Sequence, residues 1–224
     1  TTRIGSLDFT GPVDLQGESR TIEVLLPSSD SVLFRGVVSN GGLVKTGDGK
    51  LILTNANTYV GGTMVGAGTL EGTTYGLQGV IDNSGTVVFQ QDFDGAFVGR
   101  IQGAGNVNKE GAGTVTFTAT NAYTGLTRII GGALVVSGSA IDSSHSVSAG
   151  ATLMGGGTIG ELIVDGTVNP GDVAGVPGQL AVSGDVTLSV GGAYRVEMTN
   201  LSGAAGTDWD LIEASGQIMA NASA

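Results

Sequence analysis

The sequence contains no cysteine, and that absence removes disulfides, thiolate metal sites and cysteine nucleophiles together. In a protein outside the cell it suits a chain that crosses a membrane unfolded and uncrosslinked. Proline occurs four times only, without glycine at every third position, so a collagen-like chain is excluded. Aromatic residues make up 5%, and a core is therefore expected to consist of small β-branched and aliphatic side chains. Cations are scarce. Nine Lys and Arg stand against 20 Asp and Glu, a net charge of −11, whereas nucleic acid and anionic membranes both require clustered cations. The negative charge instead keeps a long β surface soluble. No run of about 18 apolar residues occurs, so neither a transmembrane helix nor membrane insertion is expected. No stretch has a convincing 3.6-residue period, and residues 201–206 are too rich in glycine for a stable helix. The chain begins at Thr1 with neither Met nor a charged-then-apolar leader, and reads as a mature or excised segment.

What the chain has in abundance is glycine, 41 residues in 224, and repetition. Residues 42–63 return in altered form from residue 106 onward. Lys45 and Lys109 are 64 positions apart (109 − 45), and the same interval separates Gly47 from Gly111, Asn57 from Asn121 and Tyr59 from Tyr123. No gap is needed. Such recurrence indicates stacked units, each burying its apolar face against the next. Strand-like alternation is short and frequent, as in residues 50–54, 85–89, 113–118 and 185–190, each bounded by Gly, Asn, Asp or Ser. Strands this short are marginal as lone hairpins, and a flat sheet of them would leave sticky edges. Coiling the chain so that successive turns pair in parallel removes every edge except the two ends. If 64 residues make three whole coils, each takes about 21 residues, and the chain forms roughly ten coils, a rod about 50 Å long. Glycine suits the corners because it reaches positive φ, and Asn55, Asn57, Asn83, Asn106, Asn108 and Asn121 fall beside them, where asparagine bonds its own backbone.

The repeated unit resembles the passenger-associated repeat of bacterial autotransporters (type V secretion). Lys45, Gly47, Gly49, Leu51, Leu53, Asn57, Tyr59, Gly61, Thr63, Val65, Gly68 and Leu70 carry the first copy. Lys109, Gly111, Gly113, Val115, Phe117, Asn121, Tyr123, Gly125, Thr127, Ile129, Gly132 and Leu134 carry the second. Residues 149–160 and 166–171 also resemble such passengers, and the tail around Leu180, Val182, Gly184, Tyr194, Val196 and Glu197 looks like coils that lead toward a membrane anchor. Residues 207–212 match loosely. The resemblance implies an all-β chain, a right-handed parallel β-helix, at the surface of a Gram-negative bacterium. It also implies a C-terminal outer-membrane β-barrel beyond Ala224. Three zones are expected: irregular N-terminal coils over 1–35, two repeats (about 42–72 and 106–136) within 36–138, and further coils of the same β-helix over 139–224.

The activities of such passengers include adhesion, self-aggregation, toxicity and proteolysis, so fold alone names none. The expectation is a non-enzymatic scaffold or adhesin, attaching to host cells, extracellular matrix or sister passengers. A β-helical glycan lyase or hydrolase, or a released toxin module, are the rivals. No catalytic, cofactor-binding or metal residue is expected, and the binding residues are left open. His145, the sole histidine, follows Asp142, Ser143 and Ser144 but lacks a Gly-x-Ser-x-Gly elbow, and is expected to be a solvated loop residue. Gly47, Asp48 and Gly49 match one piece of a calcium repeat, but Ala112 holds Asp48's place in the second copy and a plain turn is expected. Gln91, Asp92, Phe93 and Asp94 admit a glycan site, a binding loop or ordinary structure, and the last is adopted. Asp208 and Asp210 flank the sole tryptophan, Trp209, read as a cap on an exposed core rather than a binding anchor. Residues 11–28 break the pattern, as a less regular coil or an excursion. Gly103, Ala104 and Gly105 lack the helix that phosphate binding needs.

Overall fold

Short strands with one apolar face dictate a wound chain, and the computed structural model, which describes residues 6–25 and 30–221, is a parallel β-solenoid. Its strands are two to five residues long, and every pairing between named strands is parallel. Among the described residues none is helical. Each coil passes through three faces. The first is an 11-stranded sheet running from Leu7–Phe9 to Ile218–Ala220, so the rod is eleven strands deep, as the expected ten or so coils require. The second face carries a six-stranded sheet from Gly95–Phe97 to Ala193–Tyr194. The third carries a six-stranded sheet from Ser19–Glu23 to Ala122–Tyr123, then a four-stranded sheet from Ser139–Ala140 to Leu211–Ala214. A bridge between Thr120 and Ser139 joins those two levels.

In-register stacking turns the alternation of each strand into files that run along the rod. One inward file of the first face reads Val32, Leu51, Leu70, Val87, Val107, Thr127, His145, Leu162 and Val186. All of these are buried. Aromatic residues are few, yet they fill the interior more than composition suggested. Phe89, Phe97 and Phe117 meet edge to face with centroids 5.1, 5.2 and 6.2 Å apart, and Tyr59 and Tyr123 are 1% and 0% exposed.

The winding corrects the expected coil length. Leu43 pairs with Thr63, Thr63 with Ile81 and Ile81 with Ile101, so three coils on the third face take 58 residues (101 − 43) rather than 64. The six residues left over carry the chain to the next face. Lys45 accordingly lies in Gly42–Thr46 on the third face, whereas Lys109 lies in Asn106–Glu110 on the first. The rest of the unit moves with it: Lys50–Leu53 is on the first face and its counterpart Thr114–Phe117 on the second. The repeat is three coils plus one face.

Within the irregular stretch 11–28, Leu26, Pro27 and Ser28 lie outside the described residues. The remainder forms a looser coil, with strands Val13–Asp14 and Ser19–Glu23, in which Leu15 and Val24 reach the core. At the other end the coils swell. Leu162 pairs with Val186, 24 residues on, and Val186 with Ile218, 32 residues on. The excess leaves the rod at residues 171–178 and 195–210, both between the second and third faces.

Gly47 and Gly111 turn equivalent corners at φ of +74° and +79°, and a Cβ there would run into the carbonyls of Val24 and Gln91 on the preceding coil. Gly150 has a similar φ of +83° but open space around it. Gly150→Ala is expected to cost about 1–2 kcal/mol, the price of left-handed backbone alone. Gly111→Ala is expected to cost more, because two coils must also separate; denaturant midpoints of both variants check this.

Candidate functional site

The residues that make the repeat recognisable are spent on holding coils together. Lys45 is fully buried, and its Nζ donates to the carbonyls of Thr46, Gly47 and Ala67 at 2.9, 2.7 and 3.1 Å. Lys109 repeats this with Glu110, Gly111 and Gly131 at 2.8, 2.8 and 3.0 Å, each acceptor 64 positions further on. Burial lowers the pKa of both amines; Asp48 opposes the shift at Lys45, and Asp92, Glu110 and Asp94 oppose it at Lys109. The ammonium thus ties one corner to the next coil by three charge-assisted bonds. Asparagine bonds its own backbone, as at Asn55, whose Oδ1 accepts from Ala56 N at 2.8 Å, and Asn83, whose Oδ1 accepts from Gly85 N at 3.1 Å, and it also acts across coils. Asn57 accepts from Val38 N at 2.8 Å and donates to Gly76 O at 2.8 Å, and Asn121 accepts from Ile101 N at 2.9 Å and donates to Ser139 O at 3.2 Å. The Tyr59 hydroxyl bonds Thr63 at 2.9 Å and that of Tyr123 bonds Thr127 at 2.6 Å, and burial raises the pKa of both phenols.

His145 is not a solvated loop residue. It lies in the strand His145–Val147, 0% exposed, in the inward file between Thr127 and Leu162. Its Nδ1 donates to Ser143 O at 3.0 Å and its Nε2 has no partner, while burial pulls its pKa down to about 4. Ser143 Oγ turns to Thr127 and Gly125 O instead, so these residues form a buried polar knot and not a nucleophile with its base. The signal for an inward-facing position was Val147, which shares a strand face with His145 across polar Ser146.

The other sequence candidates fall into place similarly. Asp92 and Asp94 each accept a backbone N–H from the next coil, from Ala112 at 2.8 Å and Thr114 at 2.7 Å. The Thr114 bonds hold the Asp94 carboxyl below its usual pKa. Phe93 stacks on Tyr75 at the surface, centroids 5.2 Å apart and nearly coplanar. Gly47, Asp48 and Gly49 form a plain turn whose Gly47 carbonyl is taken by Lys45. Trp209 does not cap an end: it is half-buried in the 195–210 excursion, bridged to Met198 and Ala205. Among the described residues no three His, Cys, Asp or Glu side chains converge on a possible metal position.

The feature that sequence reasoning missed is the pair of loops at residues 171–178 and 195–210. They leave successive coils at one corner and are bolted to each other. Asp210, 3% exposed, accepts from Gly178 N at 2.8 Å through Oδ1 and from Glu197 N at 2.8 Å through Oδ2. Glu197 Oε1 accepts from Gly175 N at 2.7 Å, and Tyr194 OH donates to Asp210 O at 2.9 Å. Asp172 bonds Gly156 N, tying the first loop to the rod. This fixed base carries exposed apolar side chains: Val173 (61%), Val176 (54%), Met198 (51%) and Leu201 (86%). Isolated exposed apolar residues are ordinary, but four on two loops held together at their base make this protrusion a candidate contact surface. The signal available in the sequence was the widening of the interval between apolar strands after residue 164.

The passenger-associated transport repeat profile matches residues 43–71 and 107–136. An adhesin, the BmaC autotransporter of Brucella suis biovar 1 (strain 1330), is 33% identical over 123 residues. That match takes in 53% of this chain and spans 4% of the relative's length. No solved structure matches the chain.

Two outcomes follow from the buried polar groups. Lys109→Met removes three donors and is expected to cost roughly 3 kcal/mol or more. Arg35→Met, which breaks an exposed pair with Asp8 at 2.6 Å, is expected to cost less than about 1 kcal/mol; urea unfolding compares the two. For His145 the folded pKa lies below the unfolded one, so the unfolded chain binds the extra proton. Stability is expected to rise by about 3 kcal/mol between pH 4 and pH 6.5 from this group, and to be lost as pH falls through that window. His145→Leu flattens the profile there, as unfolding midpoints against pH will show.

Proposed function

We propose that this segment of an autotransporter passenger domain is a stiff spacer that presents its corner loops as an adhesive contact. The full-length protein stands on the outer surface of a Gram-negative bacterium, anchored by a C-terminal outer-membrane β-barrel. Parallel coils resist bending because neighbouring turns share hydrogen bonds along the whole rod. The loops at 171–178 and 195–210 supply what a bare rod lacks, an apolar surface held in one shape. That surface is the observation which carries the reading. Pre-organisation matters because ordering a loop on contact costs affinity, and Asp210 and Glu197 have already fixed these. The similarity to an adhesin supports the same role. The partner is a host-cell surface or its matrix, and the contribution of this chain is non-enzymatic.

Display of the segment on a bacterial surface, with attachment to cell monolayers and matrix-coated plates, tests this. Leu201→Asp with Val173→Asp is expected to cut attachment at least about tenfold, equivalent to about 1.4 kcal/mol of contact, with surface level and protease resistance unchanged. Undiminished attachment by this double variant overturns the assignment to the loops.

A further inference from the structure

Beneath the first loop, two buried side chains each have an oxygen with no hydrogen-bond donor. Asn169 is 2% exposed and the Glu197 side chain 9%, and the two touch, Asn169 Nδ2 lying 3.4 Å from Glu197 Oε1. Asn169 Oδ1 and Glu197 Oε2 are left without partners. Both orphans are acceptors, so what the site asks for is positive charge or a donor. The surroundings point to charge. The Asp210 carboxylate accepts from the backbone of Glu197, and Asp172 sits at the start of the loop above. The cation beside this group is Arg195, whose Nε is 3.6 Å from Glu197 Oε1 and whose side chain is 62% exposed, so its effect is screened by solvent. The carboxylate is compensated on Oε1 alone, leaving a desolvated oxygen that is costly, and calcium takes carboxylate, amide and backbone oxygens in a flexible geometry.

We propose that Asn169 Oδ1 and Glu197 Oε2 ligate a calcium ion, with loop carbonyls and water completing the set, and that the ion locks the 171–178 loop onto the 195–210 loop. Glu197 already holds the first loop through Gly175 N, so an ion on its second oxygen joins both loops at their base. With one direct carboxylate the affinity belongs to the weak class of extracellular sites, a Kd on the order of 0.1–1 mM. The inference stands whether or not the loops contact a host surface.

Trp209, the sole tryptophan, lies beside Asp210 on the second loop and serves as a built-in donor for terbium luminescence. In the purified chain, terbium emission excited through Trp209 is expected to saturate and to be displaced by millimolar calcium. Glu197→Gln is expected to weaken binding at least about tenfold. Asn169→Asp adds a carboxylate and is expected to tighten it at least about threefold, since ligand charge sets the affinity of such sites. It also guards the test should Glu197→Gln fail to fold. Limited proteolysis across residues 171–178 is expected to slow with calcium in the parent chain. Absence of calcium-displaceable emission, unchanged affinity in Glu197→Gln, or unchanged or weaker affinity in Asn169→Asp overturns the proposal.

Discussion

Parallel stacking in register imposes one demand from which most of this structure follows: whatever points inward has a neighbour from the coil above and another from the coil below. Apolar residues meet it easily, and the file from Val32 to Val186 is mostly Val and Leu. Polar residues meet it only if the adjacent coils supply their partners. Lys45 and Lys109 take three carbonyls each, two from their own corner and one from the next coil. Asn57 spans three coils, accepting from one neighbour and donating to the other. The interior is therefore cross-linked by buried amides and amines in a chain that has no cysteine.

The same demand explains why the rod tolerates protrusions only where it does. A coil needs its strands at fixed positions but leaves the connections between them free to lengthen. Residues 171–178 and 195–210 use that freedom on successive coils, and Asp210 couples them by accepting backbone N–H groups from both. The strands after each loop return to register, Gln179–Val182 pairing with Leu211–Ala214. Rod and loops are thus separable, and one can vary without the other.

The fold was legible because its periodicities are written in the chain: alternation within strands, glycine at corners, and a long ungapped repeat. The winding was less so. Residue counts between Lys45 and Lys109 do not reveal whether the path closes on the same face, since that depends on corner lengths fixed by tertiary packing. His145 was misplaced because a histidine among serines reads as polar, whereas the strand His145–Val147 gives it an inward position that the sequence marks only by Val147 two residues on. The paired loops escaped notice for a different reason. Their cohesion rests on Asp210 and Glu197, distant in sequence from the Gly175 and Gly178 amides they accept, and no local pattern encodes such contacts.

The offset of the repeat by one face has a geometric corollary. Equivalent outward positions of the two copies do not line up along the rod; they stand a third of a turn apart. Duplicating the unit would spread a given surface residue around all three sides in a slow spiral, giving a rod that presents itself in every direction. Excising one unit would shorten the rod and also rotate everything beyond the cut by the same third of a turn, so that length and azimuth are inherited together.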